Sequence, residues 1–244
     1  MGLKTVVVTG ASRGIGHASA KCFARNGWRV ITCSRQPFPA ENCACQTQMH
    51  QHIQVDLSDS ESVRLAIAKV REQLLEGRLD ALVNNAGISP KGGNGQRLSS
   101  FSTPRQLWDE VFQVNFFSPL QMATGLINEL RLAAGAIVNV TSIAGTRVHP
   151  FASAAYATSK AALAALTREL AADTGPTGVR VNAIAPGEIA TPMLSPGTDA
   201  LVQQIPMGRL GSPDEVADAI LYLCSPQASY LSGTEVHING GQHV

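Results

Sequence analysis

No apolar run in this chain comes near the ~20 residues that a helix needs to cross a bilayer, which argues against a membrane-spanning protein. An excess of charge of either sign is also missing. Nineteen Lys+Arg against eighteen Asp+Glu leave +1, with no basic stripe for a nucleic acid and no acidic tail. The start of the chain has no basic segment leading into a signal-like apolar stretch, because Leu3–Thr9 already reads as a strand, and a secretory signal is not expected. Cysteines are few and odd in number: Cys22, Cys33, Cys43, Cys45 and Cys224. Three of them fall in apolar helix or strand settings, so free thiols and a cytoplasmic location are expected. Composition breaks, linkers and internal repeats are absent too, and the chain reads as one domain over 1–244. With 44% hydrophobic and 15% charged residues it has apolar mass for a sizeable core and little of the character of a disordered chain.

What is present is alternation. Strand-length apolar runs stand at Lys4–Thr9, Arg29–Ser34, His52–Val55, Ala81–Asn84, Ala136–Thr141, Val179–Ile184 and Thr234–Ile238. Most are Val/Ile-rich on both faces, as a buried parallel sheet requires. Helical patterns occupy Ile15–Asn26, Ser60–Leu75, Pro104–Leu132, Ala154–Thr174 and Pro213–Leu223, with cap-like residues at Asp59-Ser60 and Ser212-Pro213. The pattern predicts an α/β fold, a Rossmann-type doubly wound parallel sheet with helices on both faces. Loops at the carboxyl ends of the strands then border the ligands. The stretch Ser89–Thr103, with Gly92, Gly93 and Gly95, is one such rim.

The first strand runs into Thr9-Gly10-Ala11-Ser12-Arg13-Gly14-Ile15-Gly16, and a helix follows. Glycines there let the backbone approach a pyrophosphate, and the helix start supplies N–H donors. Further along come Asn84-Asn85-Ala86-Gly87, Asn115, Ser142, Tyr156-Ala157-Thr158-Ser159-Lys160 and Pro186-Gly187-Glu188-Ile189-Ala190-Thr191. Each alone has a bland reading. The glycines would make a tight turn, Ser142 a turn hydroxyl, Asn115 a helix-bend residue bonded to neighbouring main chain, and Tyr156/Lys160 an ordinary helix pair. Together, in this order and over essentially the whole length, they resemble the short-chain dehydrogenase/reductase family in its single-domain branch of about 250 residues.

That resemblance implies an oxidoreductase moving hydride between a nicotinamide cofactor and a carbonyl or secondary alcohol. Tyr156 would exchange the proton and Ser142 would orient the carbonyl oxygen. Lys160 would bind the nicotinamide ribose and favour the phenolate, and Asn115 would hold a water linking Lys160 to solvent. Gly10, Ser12, Arg13, Gly14, Ile15 and Gly16 would cradle the cofactor. So would Asn84, Ala86, Gly87, Pro186, Gly187, Ile189 and Thr191, with Asp56 and Leu57 at the adenine. The second strand ends Cys33-Ser34-Arg35 without the acid that would hold a ribose 2′-hydroxyl. Arg35, with Ser34 and Arg13, offers donors to a 2′-phosphate, so NADP(H) is favoured and NAD(H) left open.

Substrate choice is expected in loops around 89–103, 144–154 and 188–207. Ser142 and Tyr156 are fourteen positions apart, one more than the usual family spacing, and the extra residue falls within Thr146–Ser153. His149 and Arg147 in that loop read as solvent-exposed, with contact to an anionic or polar substrate left open. The 3-oxoacyl-[acyl-carrier-protein] reductases are similar in Pro206–Pro213 and Leu231–Gly241. At the positions where those enzymes carry docking cations this chain has Ala133, Ala134 and Thr177, with Arg131 and Arg180 nearby. A non-catalytic NADP-binding sensor or scaffold would have a damaged catalytic set, whereas all four residues are present here. Cys43-x-Cys45 with His50-x-His52 matches no zinc spacing, and no metal is expected. The family also implies a homotetramer, with a dimer left open, packed through Pro104–Leu132 and the Ala-rich Ala154–Thr174.

Overall fold

Alternate residues of the central strands project to opposite faces, and both faces are apolar. Val7, Ile31, Leu82, Ile137 and Val181 join one buried cluster, and Val6, Val8, Val30, Val83, Val138 and Ile184 another. The computed structural model, which describes residues 2–37, 50–93, 95–195 and 197–244, accordingly has one seven-stranded parallel sheet. Its strands are β1 (Thr5–Thr9), β2 (Arg29–Ser34), β3 (His50–Gln54), β4 (Ala81–Asn84), β5 (Ala136–Val140), β6 (Arg180–Pro186) and β7 (Glu235–Ile238). They lie in the order β3-β2-β1-β4-β5-β6-β7. Chain order reverses between β1 and β4, and such a switch point opens a crevice at the carboxyl ends of the strands.

Helices cover both faces. On one, α1 (Gly14–Arg25) packs with α8 (Pro213–Cys224) through Phe23, Val216, Ile220 and Leu223. On the other lie α2 (Ser60–Gln73), α4 (Ser118–Gly125) and α5 (Ile127–Ala133), contributing Val63, Ile67, Met122 and Leu130. Capping residues set the helix starts. Asp59 accepts from the backbone N–H of Glu61 and Ser62, and Ser212 forms a reciprocal capping box with Glu215 ahead of Pro213. The long α6 (Ala154–Thr174) begins with Ser153 accepting from the N–H of Tyr156.

Three local expectations change. The helix expected over Pro104–Leu132 is broken into α3 (Arg105–Phe112), a π-turn over Gln113–Phe117, α4 and α5. Pro119 has no N–H to give the carbonyl of Asn115 four residues back, so the α-helical ladder cannot pass through Asn115. Strand β3 begins at His50 rather than His52, since Thr32 Oγ1 bonds both rings at 3.0 Å and draws the segment against β2. A short helix, α7 (Asp199–Val202), stands in the loop after β6. Cys43 and Cys45 lie outside the described residues. Among the described residues no His/Cys/Asp/Glu group could hold a metal, and Cys22, Cys33 and Cys224 are buried free thiols.

Candidate active site

A cavity of about 470 Å³ opens along the carboxyl ends of the strands. Its wall follows the chain reversals after each of the first six strands. It includes Gly10, Ser12, Arg13, Gly14 and Ile15 after β1, Ser34 and Arg35 at the end of β2, and Asp56 and Leu57 after β3. Ala86 and Gly87 follow β4, Ser142 follows β5, Tyr156 and Lys160 come from α6, and Pro186, Gly187, Ile189 and Thr191 close it after β6.

The glycine turn is shaped by close approach. Gly10 adopts φ +67°, and a Cβ there would come within 2.8 Å of the Ala86 backbone. At Gly16 a Cβ would meet Asn85 Nδ2 and the Gly10 carbonyl at 2.4 Å. Asn85 explains the crowding, as its Nδ2 donates to the carbonyls of Thr9 (2.9 Å) and Gly10 (3.2 Å), tying the turn to the end of β4. Asn84, expected to touch the cofactor, instead turns into the core and donates to Asn139 Oδ1 at 2.9 Å. Its neighbour Asn85 takes the place at the cavity wall, because successive strand side chains point to opposite faces. Gly16 and Asn115 also lie behind the wall rather than on it.

At the other end of the cavity Ser142 and Tyr156 come together, near enough for the serine hydroxyl to act on the phenol. Ser142 Oγ also accepts from the N–H of Ala144 at 3.1 Å, which fixes its rotamer. Burial pushes the Tyr156 phenol above its ordinary value, the hydrogen bond with Ser142 pulls it down, and the charge of Glu188 adds to the rise. Lys160 lies one helical turn further on, its Nζ 5.8 Å from the Tyr156 ring centre and donating to the Val140 carbonyl at 2.6 Å. Burial brings its pKa down from 10.5 to about 8. The sequence predicts a phenol lowered by Lys160, but desolvation dominates at both groups.

Asn115 is fully buried in the π-turn. Its Oδ1 accepts from the N–H of Ile88 at 2.9 Å, and its Nδ2 donates to the Ile88 carbonyl and to Ser159 Oγ, each at 3.0 Å. It thereby ties the helix to the segment after β4 and to α6. Lys160 Nζ and Asn115 Oδ1 flank Gly87, each 3.3–3.4 Å from where its Cβ would be.

The structure adds a polar group that the sequence reading left scattered. His149, expected to be exposed, is half-buried against the buried Glu188, with Nε2 2.5 Å from Oε1 and side-chain exposures of 12% and 7%. Phe151 N–H donates to His149 Nδ1 at 3.2 Å. Lys91 Nζ donates to the Phe151 carbonyl, and burial lowers its pKa while the charge of Glu188 raises it. Lys91, His149, Phe151 and Glu188 all border the cavity. Arg147 points elsewhere and donates to the Gln242 carbonyl.

A family profile described as enoyl-(acyl carrier protein) reductase matches residues 10–243. Together with the sheet order, the glycine turn and the Ser/Tyr/Lys cluster, this defines a nicotinamide-type oxidoreductase fold. The chain belongs to the short-chain dehydrogenase/reductase family. It is 57% identical over 242 residues to Protein FixR of Bradyrhizobium diazoefficiens, covering 99% of this chain and 87% of that protein. A short-chain dehydrogenase/reductase from Brucella ovis, in complex with a partially ordered NAD, is 55% identical. It covers 98% of this chain and 100% of its own, with a TM-score of 0.83. The 3-ketoacyl-(acyl-carrier-protein) reductase of Brucella melitensis, complexed with NADH, superposes at 0.89 with 31% identity, covering 99% and 98%.

Proposed function

We propose that this oxidoreductase uses NADP(H) to interconvert a small-molecule carbonyl and its alcohol, with Ser142, Tyr156, Lys160 and Asn115 as its catalytic set. The observation that carries the reading is the continuity of one cavity from the glycine turn to Ser142, Tyr156 and Lys160. A nicotinamide dinucleotide fits the residues present. Gly14, at the start of α1, lines the cavity, where a Cβ would stand 3.4 Å from the Thr191 side chain on the same wall, and the start of α1 faces the cavity with an N-terminal dipole for a pyrophosphate.

When bound, the nicotinamide supplies or takes the hydride at the carbonyl carbon. Tyr156 gives its phenolic proton to the carbonyl oxygen in reduction and removes it in oxidation. Ser142, its hydroxyl held by Ala144 N–H, donates to the same oxygen and fixes its direction. Lys160 places a buried positive charge near the phenol and reaches the nicotinamide ribose. Asn115, its amide taken up by Ile88 and Ser159, holds the segment after β4 and α6 in place around Lys160.

The preference for NADP(H) rests on the end of β2. Arg35 and Arg13 are exposed at the cavity and, among the described residues, neither forms an ion pair. A carboxylate that would repel a 2′-phosphate is absent from the strand tip. Fluorescence titration tests this. Tighter NADPH than NADH binding, weakened by about tenfold or more in Arg35→Asp, supports the assignment. Equal or tighter NADH binding overturns it. Tyr156→Phe is expected to bind the nucleotide and lose turnover, and retained turnover would remove Tyr156 as the proton donor.

Docking of an acyl-carrier protein is not favoured. Ala133, Ala134 and Thr177 stand where cations would be needed, and Arg180 points inward, donating to the carbonyls of Leu223 (2.8 Å) and Ser225 (3.3 Å). We read the chain as one domain over 1–244, with loops near 89–103, 144–154 and 188–207 around the substrate. Buried free thiols fit the cytoplasm. No helix among the described residues is long and apolar enough to cross a membrane. Exposed Ala161 and Ala165 on α6 leave a smooth face for a second copy, in keeping with a homotetramer. Sedimentation as a monomer at micromolar concentration would contradict that assembly.

A further inference from the structure

We infer that Glu188, held by His149 and accompanied by Lys91, forms a polar subsite beside Tyr156 that selects carbonyl substrates bearing a hydroxyl next to the carbonyl, such as α-hydroxy ketones and sugar-like polyols. The inference rests on the carbonyl-reducing function proposed above and names its substrate class.

The protonation pattern follows from the hydrogen bonds. His149 Nδ1 accepts from Phe151 N–H, so the ring proton sits on Nε2 and is donated to Glu188 Oε1. One oxygen of Glu188 is thereby occupied. Its other oxygen, Oε2, has no hydrogen-bond partner among the described residues and is not sealed within packed protein. Glu188 borders the cavity and lies close enough to Tyr156 and Lys91 to shift both.

Pinning the Thr146–Ser153 loop does not require this arrangement. A glutamine at 188 would accept the same proton from His149 without bringing a charge to the site. A carboxylate here raises the phenol that must give up its proton, and burying it has a desolvation cost. Both costs are offset if the substrate donates a hydrogen bond to the free oxygen. A neutral hydroxyl fits better than a charged group. An ammonium would meet the positive charge of Lys91, and an anion would meet Glu188. Lys91 has one donor on the Phe151 carbonyl and others for an oxygen of the same substrate.

The test compares kcat/KM with NADPH for two ketones that differ only by hydroxyl against methyl, 2-hydroxycyclohexanone and 2-methylcyclohexanone. It is run on wild type, Glu188→Gln and Lys91→Met. Intrinsic reactivity differs between the ketones, so the informative quantity is the change in their ratio between wild type and variant. Glu188→Gln keeps an acceptor for His149, and the wild-type preference for the hydroxy ketone is expected to fall about tenfold or more, as expected for losing a charged hydrogen bond. Lys91→Met is expected to lower the same ratio by a smaller factor. A ratio unchanged in Glu188→Gln overturns the subsite and leaves carbonyl reduction standing. Wild type that binds NADPH yet reduces neither ketone nor any other carbonyl overturns the proposed function and this inference with it.

Discussion

Replacing Lys160 by methionine should stabilise the fold at neutral pH. The ammonium is 3% exposed, and burial holds its pKa near about 8 rather than 10.5. Keeping the charge inside therefore costs about 3 kcal/mol relative to an exposed lysine. Methionine removes that cost and fills most of the same volume, while giving up the bond to the Val140 carbonyl, worth about 1 kcal/mol. The net gain is about 2 kcal/mol, or about 4–8 °C in Tm for a chain of this size. The pH dependence carries the sharper signature. The unfolded chain keeps the Lys160 proton up to pH 10.5, whereas the folded chain releases it near 8, so wild-type stability rises with pH across that interval. The advantage of Lys160→Met should be full below pH 8 and fall to zero or below by about pH 10.5. Paired thermal melts of wild type and variant across this range, read as differences so that other groups cancel, measure it. A variant destabilised at pH 7, or a difference that does not change with pH, would refute the reasoning.

Three further substitutions probe the scaffold. Gly16→Ala would place a Cβ 2.4 Å from Asn85 Nδ2 and the Gly10 carbonyl, so the glycine turn must move. A loss of about 1–3 kcal/mol and weakened nucleotide binding are expected, and unchanged Tm and Kd would contradict the packing argument. Asn115→Ala leaves the Ile88 N–H and carbonyl without partners and should cost about 3 kcal/mol in urea denaturation, together with turnover. A cost below about 1 kcal/mol would mean that water replaces the amide. Asp59→Ala removes the cap of α2, which lies away from the catalytic cluster. It should cost about 1 kcal/mol with catalytic constants unchanged, and an unaltered urea midpoint would show the cap to be idle.

The sheet was legible because its strands are apolar on both faces, and their alternation with helical periods left few topologies to choose from. Boundaries such as Arg29–Ser34, Ala81–Asn84 and Ala154–Thr174 were read to the residue. The break at Asn115 was signalled by Pro119, but hydrophobic periodicity runs through 104–132 and hides it. Asn84 and Asn85 are adjacent and chemically identical, so only strand phase distinguishes the core amide from the one at the cavity. The gathering of the Ser142, Tyr156 and Lys160 side chains was foreseen from their motif. The Lys91–His149–Glu188 group was not, because its members come from three loops and meet only through tertiary packing. A glutamate inside Pro186–Thr191 gives no sign of its partner 39 positions earlier. The phenol was misjudged for a related reason, since spacing along a helix reports a nearby charge but not the burial that outweighs it.

The central claim is hydride transfer between nicotinamide and a carbonyl carbon, with Tyr156 supplying the proton. It is tested most directly by reducing 2-hydroxycyclohexanone with NADPH carrying deuterium at the transferable position of the nicotinamide ring. Deuterium is expected at the new carbinol carbon with wild type and not with Tyr156→Phe, although the variant still binds NADPH. Wild type that holds the labelled nucleotide without delivering deuterium to any carbonyl, or a Tyr156→Phe variant that delivers it at the wild-type rate, would contradict it.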